Sequence, residues 1–205
     1  MKSRILLTVA LAALLTSVNA QNLPLEPTGI SPLLVGEKAP ELKLSNIDGG
    51  MVSISEIAAA KQTVLIFYRG GWCPYCNVHL AELQSIEQQI LAAGYQIVAI
   101  SPDSPENLKK SIDKNKLTYL LLSDSKSEAA YAFGIAFKAP DRYNDMLSKA
   151  SANLNKDVLP VPAVFVLNKQ GEILFEHINP DYKKRIKGTL LMAVLNELKD
   201  AEPGK

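Results

Sequence analysis

The order of apolar and polar positions along the chain predicts strands that alternate with helices. Residues 63–68 form a continuous apolar run, TVLIFY, which suits a strand buried on both faces of a sheet. Apolar runs of similar length follow in three further places, and the last of them has a turn and a hairpin partner after it. These runs predict strands at residues 95–100, 117–122, 163–167 and 172–177.

Apolar positions that recur at three- and four-residue steps predict helices between these strands. The clearest helix covers residues 74–93, where Pro74 suits the first turn and Gly94 suits the end. Shorter helices are predicted at residues 105–115, from a cap at Asp124 or Ser125 to near Gly134, and inside a polar insertion at 138–158. A final helix is predicted at 181–199, with one apolar face formed by Ile186, Leu190, Val194 and Leu198.

A hairpin is predicted ahead of the first long strand. Apolar and polar residues alternate at positions 41–55, on both sides of the turn signal Asp48-Gly49-Gly50. Strands that alternate with helices indicate an α/β domain in three layers, with a mixed central sheet flanked by helices and an N-terminal hairpin. The predicted domain covers residues 36–199, after an extended lead-in at 21–35 and before a tail at 200–205.

The first twenty residues are predicted to be a secretory signal peptide. Lys2 and Arg4 precede an uncharged apolar run of 11 residues at 5–15, and small residues lead up to Ala20. A membrane anchor is the alternative, but a span needs about 20 apolar residues. We therefore expect an exported protein, periplasmic if the source is a Gram-negative bacterium, with no stable membrane insertion after cleavage.

Composition narrows the classes of function. The chain has 205 residues, of which 47% are hydrophobic and 21% charged, so a sizeable core can form and a disordered chain is excluded. The formal net charge is +1, and no cluster of lysine and arginine predicts nucleic-acid binding. Cys73 and Cys76 are the only cysteines, which excludes a disulfide framework and a four-cysteine zinc site.

The two cysteines are spaced as C-x-x-C between a predicted buried strand and the first turn of a predicted helix. Free N–H groups and the dipole at a helix N-terminus favour the thiolate form of a cysteine, which is its reactive form. The spacing lets one sulfur attack the other after a mixed disulfide or a sulfenic acid has formed. We therefore predict that Cys73 and Cys76 cycle between a dithiol and a disulfide. Arg69 either adds positive charge nearby or is a solvated loop residue.

Two other interpretations of the cysteines are weaker. They could be incidental buried residues, or Cys73, Cys76 and His79 could hold a metal ion together with His177. A structural zinc site usually needs four protein ligands, and His177 is the only histidine left to supply the fourth. We expect no metal and no cofactor. His79 is interpreted as a polar helix residue or as a residue that tunes the thiols.

Residues 67–76, FYRGGWCPYC, carry the strongest resemblance to a known family. The sequence resembles the thioredoxin-fold superfamily and, within it, peroxiredoxin-like proteins of the alkyl hydroperoxide reductase/thiol-specific antioxidant (AhpC/TSA) group. Residues 36–40 and 100–105 also resemble segments of that group, and the resemblance covers residues 36–199. Val161-Pro162-Ala163 resembles the proline segment of the fold, which implies a cis bond before Pro162 and a position facing the cysteines.

The resemblance also implies roles for the site residues. In ungapped register, Cys76 falls on the cysteine that attacks peroxide in peroxiredoxins, and Cys73 falls on the Thr or Ser three residues before it. The hydroxyl that positions the peroxide is therefore absent, while a thioredoxin-like dithiol is gained. Peroxiredoxins also use an arginine from a later segment, for which Arg142 lies at the approximate position.

Three hypotheses for the function follow. In thiol–disulfide exchange, Cys73 attacks a disulfide, Cys76 resolves the mixed disulfide, and Trp72 and Pro162 frame the docking groove. In peroxide reduction, Cys76 attacks the peroxide and Cys73 closes the disulfide. Both describe a thiol-based antioxidant oxidoreductase, whose expected partners are a thioredoxin-type reductant, a disulfide-bearing protein or a peroxide. The third hypothesis, from another class, is a non-catalytic binding domain that retains the fold.

Overall fold

The structure, a computed structural model, describes residues 23–200; the predicted signal peptide at 1–20 and residues 201–205 lie outside the described part. Residues 23–200 contain nine strands: β1 Lys43–Asn46, β2 Met51–Ser53, β3 Gln62–Phe67, β4 Tyr95–Ser101, β5 Leu120–Ser123, β6 Ala136–Lys138, β7 Val158–Pro160, β8 Ala163–Leu167 and β9 Ile173–Ile178. The α-helices are α1 Ile54–Ala60, α2 Pro74–Ala92, α3 Pro105–Asn115, α4 Glu128–Ala132, α5 Asn144–Ala150 and α6 Gly188–Asp200.

Seven of the strands form one mixed sheet in the order β2-β1-β5-β4-β3-β8-β9. Strands β3, β4 and β5 are parallel, and the remaining neighbours are antiparallel. The N-terminal hairpin, β1 with β2, pairs Leu44 with Val52 around the predicted turn. The α/β architecture with a mixed central sheet is therefore confirmed.

Strand β3 lies in the middle of the sheet and is buried on both faces, as its apolar run predicts. Val64 and Ile66 point into a core beneath α2, α3 and α6, whereas Leu65 and Phe67 point into a second core beneath α1 and α4. Side chains that follow one another along a strand face opposite sides of the sheet, so one short segment anchors both helical layers. The end of β3 is therefore packed on both faces, and it positions the loop that carries the cysteines.

The final helix begins later than its sequence pattern predicts. It starts at Gly188, whose N–H donates to Glu82 Oε1 of α2 at 2.7 Å, and residues 181–187 are irregular. The predicted apolar face is wrong at Leu190, which is exposed while Leu191 and Leu195 are buried against α2. Ile186 is buried as predicted, and Leu198 packs against the same core. Because Glu82 caps α6 at Gly188, residues 181–187 lie outside the helix and cross the start of α2.

Three short elements, α1, β6 and β7, were not predicted. Helix α1 follows β2 directly, capped by Ser53, whose hydroxyl accepts a bond from the Glu56 N–H. Strands β6 and β7 pair as a separate two-stranded ribbon at the borders of the polar insertion. Together with α5, this ribbon encloses a small apolar cluster that also contacts Trp72. The insertion therefore forms a wall beside the C-x-x-C segment.

The lead-in lies against the domain in its described part. Ser31 N–H donates to Gly134 O and Leu33 N–H to Phe133 O, both at 3.1 Å. Gly134 has a φ of +67°, and a Cβ there would overlap the backbone of Ser31, so only glycine fits this close approach. Within residues 23–200, none of the helices combines the length and apolar content that a membrane span requires.

Candidate functional site

The C-x-x-C segment lies between the end of β3 and the start of α2. Cys73 is the N-cap residue of α2, and its carbonyl accepts bonds from the N–H groups of Cys76 and Asn77 at 3.1 Å each. Pro74 occupies the first helical position, as predicted. Both cysteines are free thiols, with 1% of Cys73 and none of Cys76 exposed. The two sulfurs therefore share a nearly dry environment at the positive end of a 19-residue helix.

The two thiols have opposite electrostatic surroundings. The pKa of Cys73 is lowered to about 6, first through hydrogen bonding with the Cys76 side chain. The charges of Arg69 and Arg185 lower it further, against the opposing effect of burial. Burial raises the pKa of Cys76 well above its usual value, and the neighbouring Cys73 thiolate raises it more. Of the two thiols, Cys73 is therefore the one whose surroundings favour the thiolate form.

Arg185 is the cation in contact with the buried cysteine. Its Nη2 lies 3.5 Å from Cys76 Sγ, and its Nη1 donates to the carbonyls of Tyr182 and of Lys184, the latter at 2.9 Å. Arg142, the arginine suggested by the resemblance, instead places its Cζ 4.9 Å from the Tyr143 ring. A role for Arg185 at the site was not predicted, because the sequence pattern placed this residue inside the final helix. Gly188, in the middle of that predicted helix, was the available signal that the helix begins later.

Arg69 is not a solvated loop residue. Only 4% of it is exposed, and its Cζ lies 4.2 Å from the ring centre of Tyr182, 4.7 Å from Tyr143 and 5.0 Å from Trp72. Three aromatic faces therefore enclose the guanidinium and compensate part of its lost hydration through cation–π contacts. The Arg69 backbone N–H also helps to lower the Cys76 pKa by bonding to its sulfur.

The loop before Cys73 is held by a buried carboxyl group. Asp103, just beyond β4, accepts a bond from the Gly71 N–H through Oδ2 at 2.7 Å. The Asn77 side chain of α2 donates to the Gly71 carbonyl at 2.8 Å, so both backbone polar groups of Gly71 are hydrogen-bonded. Burial raises the pKa of Asp103 to about 6. Asp103 lies in the segment 100–105 that resembles the family, but no role for it was predicted from the sequence.

Pro162 lies beside Arg69, but its peptide bond is trans. The expectation of a cis bond is wrong, since residues 23–200 contain no cis peptide bond. Val161, just before it, donates its N–H to Ile135 O at 2.8 Å, and Pro162 O accepts from the Asn179 N–H at 3.3 Å. These bonds carry the extended chain of β7 straight into β8, which a trans bond allows. Pro162 and Arg69 line the same cavity.

The two histidines, His79 and His177, lie near Arg185, the arginine that contacts Cys76. His79 of α2 is 3% exposed, its Nε2 has no hydrogen-bond partner, and burial lowers its pKa to about 4, with Arg185 and His177 adding to the effect. A void of about 10 Å³ separates His79, His177 and Arg185, which is room for about one water molecule. In the described part of the chain, no three His, Cys, Asp or Glu side chains are grouped so that they could hold a metal ion.

The chain is similar to known proteins over much of its length. A sequence model of the AhpC/TSA family matches residues 35–175. The putative peroxiredoxin bcp of Haemophilus influenzae is 32% identical over 106 residues, which cover 52% of this chain and 68% of that protein. The peroxiredoxin Bcp of Escherichia coli K12 is 29% identical over 106 residues, with 52% and 67% covered.

Solved structures with little sequence identity share the fold. The peroxidoxin BcpB of Mycobacterium tuberculosis superimposes with a TM-score of 0.64 at 18% identity, over 80% of this chain and 97% of that one. The reduced Prx3 of Vibrio vulnificus in complex with H2O2 gives a TM-score of 0.68 at 16% identity, over 80% and 99%. These likenesses confirm the thioredoxin-like architecture. With more than half of its sequence matched, the chain belongs to the AhpC/TSA family and is a thiol-based oxidoreductase of the peroxiredoxin type.

Proposed function

We propose that the chain reduces hydroperoxides by oxidising the Cys73–Cys76 dithiol to a disulfide. The observation that carries this proposal is the position of Cys73. Its sulfur lies at the N-terminus of α2, where hydrogen bonding with the Cys76 side chain and the charges of Arg69 and Arg185 lower its pKa to about 6. A thiolate that persists at neutral pH is the species that attacks the weak O–O bond of a peroxide.

The first chemical step transfers one oxygen. The Cys73 thiolate attacks the terminal oxygen of ROOH, an S–O bond forms and the O–O bond breaks, giving Cys73–SOH. The leaving alkoxide takes a proton from water and departs as an alcohol. Positive charge near the reacting atoms stabilises the negative charge that moves from sulfur to the leaving oxygen. Arg185 is placed for this role, because its guanidinium reaches Cys76 Sγ and its charge also acts on Cys73.

The second step closes the disulfide. Once Cys73 is a neutral sulfenic acid, the negative charge that raised the Cys76 pKa is gone, while Arg185 still lowers it. Cys76 then loses its proton more easily, attacks Cys73 Sγ, and hydroxide leaves with that proton as water. Two electrons from the dithiol have reduced the peroxide to an alcohol and water. The first step thereby activates the cysteine that performs the second.

This assignment reverses the roles implied by sequence register, in which Cys76 attacks. Two single variants decide between them. In Cys76→Ser, where a hydroxyl replaces the donor thiol, peroxide should convert Cys73 to a sulfenic acid that dimedone labels and mass spectrometry locates. In Cys73→Ser, the buried Cys76 should react far more slowly. Rapid labelling of Cys76 with a slow Cys73 would instead support the register.

For the return step we propose a protein dithiol of the thioredoxin type as reductant. Cys73 and Cys76 are the only cysteines, so an external thiol must reopen their disulfide. A dithiol can form the mixed disulfide and then resolve it within one docked complex, which favours a protein dithiol over a monothiol such as glutathione. NADPH consumption with thioredoxin and its reductase should exceed that with glutathione and its reductase. The reverse order of rates contradicts this choice of donor.

We also propose that the protein is exported, periplasmic in a Gram-negative source. The support is the charge, apolar run and small residues of positions 1–20. N-terminal sequencing of the protein purified from its own cells should give Gln21 as the first residue. An N-terminus at Met1 in protein from the cytoplasmic fraction contradicts export.

A further inference from the structure

A cavity of about 200 Å³ lies beside the dithiol, between the start of the described chain, β6, and the segment before α6. Four prolines and three aromatic residues form its walls, and the charged groups on it are Arg69, Arg142 and Glu26. The walls are therefore largely apolar and flat, and the charge is positive on balance.

Arg69 is a buried cation that no carboxylate of the described chain pairs with. The guanidinium faces are covered by aromatic rings, but its buried Nε has no hydrogen-bond partner. Within the described chain, every ion pair joins a lysine to an acid, so no carboxylate lies within ion-pair distance of Arg69. A buried charge is costly unless it is paired, and an arginine donates in the plane of its guanidinium.

We propose that this cavity binds a small organic carboxylate with a flat apolar body. The carboxylate accepts bonds from the guanidinium groups of Arg69 and Arg142, and the apolar body packs against the prolines and Tyr182. The volume has room for one aromatic ring and its carboxylate. The proposal rests on the cavity and its charges, and it holds whether or not the dithiol reduces peroxide.

The redox state of the dithiol should control the affinity. In the reduced protein, the Cys73 thiolate interacts with Arg69, since that charge helps to keep the thiol ionised. Formation of the disulfide removes this negative charge and leaves Arg69 uncompensated. An anion in the cavity therefore binds more tightly to the oxidised protein than to the reduced protein, and by linkage it favours the disulfide.

Phenylacetate is a suitable probe, with phenylacetamide as its uncharged counterpart. Isothermal titration calorimetry on the protein oxidised with diamide should show saturable binding of phenylacetate in the millimolar range or tighter. The reduced protein should bind it severalfold more weakly, and phenylacetamide should not bind to either form. Thiol titration before each run records whether the disulfide has formed, so a failure of the dithiol chemistry is seen separately from a failure of binding.

Three single variants that each neutralise one charged side chain locate the site. Arg142→Gln should weaken binding about tenfold through loss of one guanidinium. Glu26→Gln, at the rim of the cavity, should strengthen it, because an opposing carboxylate is removed. Lys169→Gln, in the exposed turn between β8 and β9, is the control and should leave the affinity unchanged. Phenylacetamide binding equal to that of phenylacetate, or the same affinity in Arg142→Gln as in the wild type, overturns the proposal. Absence of saturable binding to both redox forms overturns it as well, and equal affinity of the two forms overturns the redox coupling.

Discussion

At the scale of single residues, two identical side chains three positions apart differ because their surroundings differ. Cys73 receives hydrogen bonds and the potential of two arginines, whereas Cys76 is buried against a neighbouring thiolate. In the proposed mechanism, the division of labour between attacking and resolving cysteine comes from position at the helix N-terminus. It does not require the hydroxyl that Cys73 replaces in the family register.

This difference predicts how alkylation depends on pH. The rate of iodoacetamide reaction with reduced protein should rise through a midpoint near pH 6 and then level off, because the thiolate of Cys73 is the reacting form. Cys76→Ala should raise the midpoint by about one pH unit or more, since it removes the largest cause of the lowered pKa.

The matched control for that substitution is Cys76→Ser, which keeps a hydrogen-bond donor and should move the midpoint less. A wild-type midpoint at the value of a free cysteine, about 8.5, contradicts the account of Cys73.

The residues of the site were predictable to different degrees. Cys73, Cys76 and Trp72 could be predicted as site residues because a reactive pair of cysteines stands between a strand and a helix in one short segment. Arg185 was missed because its partner, Cys76, lies 109 residues away, and no local pattern records a contact between distant segments. Asp103 was passed over for the same reason, as its bond to Gly71 joins residues 32 positions apart.

At the scale of elements, the loop between β3 and α2 fixes where the thiols lie. Gly70 has a φ of +133°, and a Cβ there would lie 2.7 Å from Asp103 Oδ1 and would also overlap the Trp72 indole. An L side chain at this position is strained by its backbone and has no space.

Gly70→Ala should therefore lower the free energy of unfolding by about 2 kcal/mol or more and slow the reaction with peroxide. Gly171→Ala is the control, because Gly171 also has a positive φ, +76°, but has open space around it. Chemical denaturation of both variants measures the difference. An equal loss in the two variants means that the loop has no tight packing to disturb.

Long elements with a regular pattern were predicted well, and short ones were not. Helix α2 matches its predicted bounds because its apolar period extends over five turns. Strands β6 and β7 have three residues each and exist through pairing with one another, which their own sequences do not specify. The start of α6 depends on a cap donated by another helix, so periodicity alone placed it too early.

At the scale of the whole molecule, the fold gathers the site from four parts of the chain. The carboxyl ends of parallel strands β3 and β4 deliver the C-x-x-C loop and Asp103 to one edge of the sheet, where ligands commonly bind in such folds. The insertion adds Tyr143, and the segment before α6 adds Tyr182 and Arg185. The α/β class with a mixed sheet was predictable from the alternation of strands and helices, but the strand order and the meeting of these loops were not.

Both thiols belong to the first turn of α2, so the disulfide can close without rearrangement of the fold. Reduced and diamide-oxidised protein should therefore have the same far-ultraviolet circular dichroism within error, with a change confined to the near-ultraviolet signal of Trp72. A loss of helical signal on oxidation means that α2 unwinds to bring the sulfurs together.

The central claim is that this dithiol reacts with peroxide as an enzyme does. The most direct measurement is stopped-flow fluorescence of the pre-reduced protein mixed with hydrogen peroxide, because Trp72 is the only tryptophan and adjoins Cys73. We predict a signal change whose rate rises linearly with peroxide concentration. Its second-order rate constant should exceed that of a free thiolate by roughly a thousandfold and fall strongly in Arg185→Met. A rate no greater than that of a free thiolate contradicts the claim.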